Sequence, residues 1–390
     1  MSQLKVNTIR HTGASSDAVT LASDGTCTVK ATNKSHKNII INGACAVAQR
    51  STAAVTDDNI RTVDRFYLNY GGTDNHPTQE RHALTSSDTG PWAKGFRYSY
   101  HVTNGDQTSG AGAGDDMKIQ YNIEAQDIAQ SGWDYTSASS YITFSFWVKS
   151  SVAQNFYGYI QTHDGSGQRY PFETGSLSAN TWAKITKTIP GNSNITMDND
   201  NGKGLSINLT QFMGTDLTGS TSLNTWAAWN TALRSPDQTS DWWTTNDATW
   251  EITGLQLEVG DVATDFEHRS YTDELLRCQR YFNLIADGSL GTGKSVSDGF
   301  WWSNNEFDFM YTFPVEMRTT PTIYQATGTS YFTVQGGGVG PDLDGAWTLQ
   351  YSSKMGTSHY TGKTGGGTAG NSGHLTVNNA AARLGYQAEL

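Results

Sequence analysis

Cysteine is scarce in this chain: Cys27, Cys45 and Cys278 are an odd, widely spaced set with no Cys-x-x-Cys pair and no histidine at zinc-ligand spacing. That excludes a disulfide framework and a zinc finger, and free thiols in a reducing compartment are expected. Clustered positive charge is missing as well. Against 37 Asp and Glu stand only 26 Lys and Arg, a formal net charge of −11, so no nucleic-acid partner is expected. No apolar run is long enough to span a membrane, and the opening residues lack the apolar stretch of a signal peptide. Membrane insertion and Sec-dependent export are therefore not expected. Repeats of solenoid period are absent, which weighs against a β-helix, and no G-x-S-x-G elbow or H-E-x-x-H helix is present to suggest a familiar hydrolase.

Glycine, by contrast, is abundant at 41 residues, alongside 12 Trp, 18 Tyr and 14 Phe. Aromatic and β-branched residues suit a pleated surface, while Gly, Asn and Asp supply tight turns. The expected fold class is all-β: two jelly-roll-like β-sandwich domains in series, joined by a short helix, with a short N-terminal β segment. A length of 390 residues suits two or three domains.

Residues 1–37 read as short strands with a turn at Asp24-Gly25, too small to bury a core of their own. They are expected to attach to a partner or interlock with identical copies. Residues 38–269 carry longer runs in which every second residue is apolar, as in Asn38-Ile-Ile-Ile-Asn42, Phe66-Tyr-Leu68-Asn-Tyr70, Ile142-Thr-Phe144-Ser-Phe146-Trp-Val148 and Trp250-Glu-Ile252. One face is buried and the other wet, as in a two-sheet sandwich. Residues 270–282 are the helix, with Thr272 as cap and Asp273 paired to Arg277 at i,i+4, and serve as a hinge. Residues 283–390 form a second, smaller sandwich, with Gly336–Gly338 and Gly365–Gly367 in loops.

Several stretches resemble a known family. Leu255-Gln-Leu257-Glu258-Val-Gly260, followed by Ala263-Thr-Asp-Phe266 and Glu274-Leu-Leu-Arg-Cys278-Gln-Arg280-Tyr-Phe282, resembles a junction in tail-fibre and appendage proteins of marine, cyanophage-like bacteriophages. Phe313-Pro-Val315-Glu-Met317-Arg318 and Ala388-Glu-Leu390 are similar to that family's C-terminal domain, and Leu4-Lys-Val6-Asn-Thr8-Ile9 to its opening segment. Phe144-Ser-Phe146-Trp-Val148 and Thr181-Trp182, with Leu255 to Glu258, also resemble the jelly roll of carbohydrate-binding modules.

The resemblance implies a non-enzymatic structural protein of the virion: a homotrimeric fibre subunit that attaches to other virion proteins through residues 1–37. Its outer domains would hold a host-surface glycan or protein through many weak contacts multiplied by avidity. Three alternatives stand beside it. One is an architectural capsid-decorating or baseplate protein without a receptor, another a bacterial lectin, and the third a tailspike glycan hydrolase needing two carboxylates at defined separation.

Glycan recognition calls for an exposed aromatic face beside planar polar groups. The best match is Asp241-Trp242-Trp243 with Asn246 and Asp247, near Trp226 and Trp229. If this stretch is a strand, one of the two adjacent tryptophans faces outward; a covering loop is the bland alternative. Trp301-Trp302 poses the same question, with packing between domains as its expected role. No cofactor is expected. Asp198-Asn-Asp200-Asn-Gly202 offers clustered oxygens for Ca2+, but its glycine comes early for an EF-hand loop and no bidentate Glu follows, so a solvated turn competes. His76, Glu80 and His82 make a conceivable metal trio in a loop broken by Pro77, where scattered surface histidines are the commoner reading.

Overall fold

The computed structural model describes residues 6–10, 12–13, 17–25, 27–29, 36–56, 61–336, 340, 342–363 and 366–390. Much of the 1–37 segment, and Gly337, Gly338 and Gly365 of the two glycine-rich loops, lie outside the described residues. The chain is all-β, as its composition demands, and every pairing between its named strands is antiparallel.

Near the N-terminus, β1 (Thr8–Ile9), β2 (Val19–Leu21) and β3 (Cys27–Val29) form a three-stranded sheet. Gly25, with φ of 86°, makes the turn between β2 and β3 in the left-handed region that a side chain resists. Val6, Ile9 and Leu21 are exposed, because so few residues offer nothing to cover them.

Two larger sheets follow, built from β4 (Phe66–Gly71), β5 (Thr78–Ala83), β6 (Tyr98–Thr103), β7 (Asp116–Glu124), β8 (Tyr141–Ser150), β9 (Asn155–Thr162), β10 (Gln168–Ser176), β11 (Ala183–Pro190), β12 (Lys203–Met213), β13 (Ala227–Ala228) and β14 (Thr249–Val259). One sheet has the order β13-β10-β9-β12-β7-β4 and the other β11-β8-β14-β6-β5. Between them lies one apolar core. Ile142, Phe144, Phe146 and Val148 of β8 face Phe156, Ile160, Phe172 and Ile207 of the opposing sheet. Alternation breaks once in β14, where Trp250 and Ile252 are followed by Leu255 and Leu257. A bulge between Thr253 and Gln256 resets the face. Gly254 sits in it at φ 65°, with Phe96 so close that a Cβ would come within 2.6 Å of its ring.

The strand expected at Asn38–Asn42 does not form. Asn38 instead takes a ladder role with its side chain, donating from Nδ2 to Leu255 O (3.1 Å) and accepting from Leu257 N (3.0 Å). Two short helices, α1 (Ala125–Ala129) and α2 (Asp241–Thr244), pack on this body, α1 against β7 and β12 and α2 against β12.

The expected helix is α3 (Tyr271–Gln279), shorter than 270–282. Its cap is Ser270, in extended backbone with its Oγ accepting from Asp273 N at 3.2 Å, and not Thr272, which lies inside the helix. Arg277 turns to His36 Nδ1 (2.8 Å), and no Asp273–Arg277 ion pair forms among the described residues. Nor is the region a loose hinge. Cys278 is fully buried, and Arg280 holds Glu124 through Nε and Nη2 at 2.7 and 2.8 Å while Tyr281 donates to the same carboxylate at 2.5 Å.

Beyond α3, β15 (Phe282–Asp287), β16 (Ser295–Ser303), β17 (Glu306–Thr312), β18 (Thr322–Ala326), β19 (Phe332–Gln335), β20 (Thr348–Gln350), β21 (Gly356–Gly362), β22 (Ser372–Val377) and β23 (Arg383–Gln387) make two sheets. Their orders are β15-β23-β18 and β19-β22-β16-β17-β21-β20. Trp301, Phe307, Phe309, Trp347, Leu375 and Leu384 fill the space between them. Among the described residues no helix is long and apolar enough to cross a membrane.

Candidate functional site

The tryptophan pair singled out from the sequence is not on a strand. Trp242 and Trp243 belong to α2, and both are fully buried. Trp242 Nε1 donates to Thr249 O (3.1 Å), Trp243 Nε1 donates to Gly110 O (2.9 Å), and the Trp243 ring lies 5.0 Å from Phe212. Asn104 Nδ2 holds the helix in place by donating to Trp243 O at 2.7 Å. A helical turn removes the two-residue alternation that would have turned one indole outward. Asp241, Asn246 and Asp247 are exposed, but the aromatic face they would border is closed. Trp226 is buried too, its Nε1 donating to Pro190 O at 2.6 Å, and Trp229 leans on Tyr159.

Asp198 and Asp200 are exposed on their loop. Asp200 Oδ1 accepts from Gly202 N (2.8 Å), and Asn201 binds the C-terminal half through Arg318 Nη1, which donates to Asn201 O at 2.9 Å. The loop thus serves as a docking turn. Of the histidine trio, His76 packs against Tyr70, while His101 arrives beside Glu80 and His82 from the neighbouring strand.

An exposed aromatic face does exist, around Trp302. Strand alternation in β16 sends Trp301 into the core against Phe307 and leaves Trp302 67% exposed, with Phe300 edge-on to it at 6.4 Å. The interdomain packing expected of Trp301-Trp302 is thereby corrected for Trp302: among the described residues nothing covers the outer face of its sheet. Pairing register sets the rest of the surface. Phe300 stands opposite Asp308, Asp308 opposite Tyr360, and Met310 opposite Ser358, which faces Gln350. Met310, Tyr351 and Met355 are exposed, and Tyr351 reaches 85% because its φ of 38° swings it off the end of β20. Together they wall an open groove of about 600 Å³ with Glu306 and Asp308 on its floor.

The carboxylates give this groove its polarity. Asp308 is nine-tenths buried, and its Oδ1 has no hydrogen-bond partner among the described residues. Burial, then the charge and hydrogen bonding of Glu306 two residues earlier on the same face, push the Asp308 carboxyl up to about 6. Aromatic and thioether walls over an unpaired acceptor suit a ligand with an apolar face and hydroxyl donors. The Trp301-Trp302 dipeptide was the signal for this site; what the sequence could not say was which sheet face stays bare.

No protein-family model matches the chain, and no curated protein sequence does. Among solved structures it is similar to the enzymatically active domain of bacteriophage CBA120 tailspike protein 4, at 11% identity and a TM-score of 0.30, over 57% of this chain and 21% of that one. It is also similar to the N-terminal cellulose-binding domain of Cellulomonas fimi β-1,4-glucanase C, at 8% identity and a TM-score of 0.26, over 56% of this chain and 99% of that domain. A family 11 carbohydrate-binding module of a Clostridium thermocellum cellulosomal cellulase matches at 13% identity and a TM-score of 0.25, over 56% and 99%. At scores this low, nothing these proteins bind or cleave is carried over to this chain.

Proposed function

We propose that this chain is a glycan-binding attachment subunit of a phage virion appendage, with the β16–β17–β21–β20 face as its ligand surface. The observation that carries the reading is the exposed groove in which Trp302, Phe300 and Tyr351 stand over the unpartnered Asp308 Oδ1. A sugar ring stacks its C–H face on an indole while its hydroxyls donate to a carboxylate, and both halves of that chemistry are in place. The appendage assignment draws on the junction and end motifs in the sequence, and on the exposed apolar residues of the small N-terminal sheet. Those suit a homotrimer whose N-terminal segments interlock and join other virion proteins. A single shallow groove binds weakly, and three per fibre on many fibres bind firmly.

A glycan array probed with the full chain, in parallel with Trp302→Ala, tests the reading. Binding that the substitution abolishes supports it. No binding to any glycan, together with retention on a virion protein, would instead favour the architectural role. One observation favours a second reading, glycan hydrolysis: a carboxyl held near 6 beside another carboxyl has the profile of a general acid. Release of reducing ends from a bound polysaccharide, lost in Asp308→Asn, would establish that role.

A further inference from the structure

We propose a divalent transition-metal site on the outer face of the β11-β8-β14-β6-β5 sheet, with His82, His101 and Glu80 as ligands. The site follows from register. Glu80 of β5 pairs with His101 of β6, His101 with Glu251 of β14, and Glu251 with Lys149 of β8. Directly opposed residues share a face with Cβ atoms about 5 Å apart, so these four side chains form one row across four strands. His82, two residues along from Glu80, joins the same face. One donor atom from each of Glu80, His82 and His101 lies within 4.8 Å of the others, and the two imidazole centroids are 5.0 Å apart. Small side-chain rotations bring such a set to the ~2.0–2.2 Å bonds of zinc with nitrogen and carboxylate oxygen.

Three further features favour a cation there. Among the described residues His101 Nδ1 is buried without a hydrogen bond, 3.5 Å from Glu251 Oε1, while Nε2 lies 3.1 Å from Thr103 Oγ1, a contact that a bound metal would replace. A ring turned so that one nitrogen faces a carboxylate and the other a metal is the usual arrangement of a ligating histidine. Glu251 is itself anchored, by Ser99 Oγ at 2.8 Å and Lys149 Nζ at 2.8 Å, so it can orient His101 without drifting into the site. Charge agrees in sign. Lys149 is held by Glu251 Oε1 at 2.8 Å and Asp88 Oδ1 at 3.1 Å, and Glu80 of the row adds a third carboxylate. The balance is negative with both histidines neutral. Two imidazoles and one carboxylate select zinc-like ions over Ca2+ or Mg2+, which prefer all-oxygen shells. His82 is the most exposed of the three and Glu80 is half-buried, so the coordination sphere stays open to solvent on one side. A bound ion would also pin β5, the edge strand of its sheet.

Titration of the full chain with ZnCl2 by calorimetry, and with CoCl2 by visible absorption, tests the site. One ion per chain is expected, with a thermal midpoint that rises on adding zinc and does not rise with Ca2+. His82→Ala and Glu80→Gln should each weaken binding roughly tenfold or more, while His76→Ala, removing a nearby histidine outside the set, should change nothing. His82 is the least buried of the three, so its variant keeps the fold and carries the test even if His101→Ala does not fold. Absence of zinc binding at millimolar metal, or binding that His82→Ala leaves intact, overturns the proposal.

Discussion

Arg65 Nη1 lies 3.0 Å from Glu389 Oε2, an ion pair that joins positions 324 apart in the chain. Arg61 and Arg50 reach the same carboxylate at 3.0 and 3.2 Å. The Arg65 guanidinium also sits flat on Tyr281, 3.3 Å from its centroid, just past α3. Three guanidiniums from the first sandwich thus close on one side chain that follows the last strand of the second. An array like this holds two bodies in one orientation, because the Glu389 carboxylate that all three guanidiniums share is supplied only in the docked state.

Removing that carboxylate leaves the buried Arg50 and Arg65 and the partly buried Arg61 facing one another. Glu389→Gln is expected to destabilise the chain by about 3–5 kcal/mol, the usual range when one partner of a buried pair is deleted. Urea unfolding followed by tryptophan fluorescence measures it, and a loss below 1 kcal/mol on the order of a surface pair would show the cluster to be ornamental. An acid limb should accompany it. Burial opposes ionisation of Glu389, but Arg61, Arg50 and Arg65 outweigh it and hold the carboxyl down from 4.5 to about 2. A depressed carboxyl contributes its stability in full above 4.5 and loses it as pH falls towards about 2. In Glu389→Gln that part of the acid limb should disappear.

Adjacent tryptophans should behave as opposites. Trp301 is 4% exposed in the second core and Trp302 is 67% exposed on the outer face. Trp301→Ala is expected to cost about 3–5 kcal/mol, and Trp302→Ala within about 0.5 kcal/mol of nothing. Equal effects on chemical unfolding would mean that the face around Trp302 is covered in solution by another chain.

The contrast shows how much of this molecule its sequence discloses. Alternation of apolar residues in Ile142 to Val148 or Phe307 to Phe309 states directly that they are strands with one buried face, so the all-β class was legible. Which faces stay bare was not, since that depends on whether a loop far along the chain folds back. Trp242-Trp243 and Trp301-Trp302 are alike as dipeptides, yet a four-residue helix buries the first pair and a strand exposes half of the second. Cross-strand meetings were equally hidden. His101 lies on a different strand from Glu80 and His82, and only pairing register brings them together. In the sequence Glu389 stands out only within the Ala388-Glu-Leu390 motif, and its role was hidden because Arg50, Arg61 and Arg65 lie 339, 328 and 324 positions away.

Trp242→Ala follows from the same reasoning. With both indoles fully buried and hydrogen-bonded, the substitution is expected to destabilise by about 3–5 kcal/mol. Ligand binding should persist at temperatures where the variant remains folded. A fully folded Trp242→Ala chain that had lost glycan binding would return the ligand site to α2.

Asp308 makes a pH prediction of opposite sign to Glu389. Burial and Glu306 raise its carboxyl from 3.8 to about 6 in the folded chain, so the folded state binds this proton more tightly than the unfolded one. Its contribution to stability is therefore greatest below 3.8 and falls as pH climbs through about 6. Asp308→Asn, which keeps the shape and removes the charge, should melt higher than the parent at neutral pH and match it under acid. The Asp308 window, from 3.8 to about 6, overlaps that of Glu389, from 4.5 down to about 2, only between 3.8 and 4.5, so melting curves collected across both resolve the two groups. The ionised Asp308 is also the acceptor that the proposed ligand needs. Affinity in the parent should then rise with pH over the same interval in which stability falls, and in Asp308→Asn both slopes should vanish together. A variant whose affinity still climbed with pH would place the acceptor on some other group.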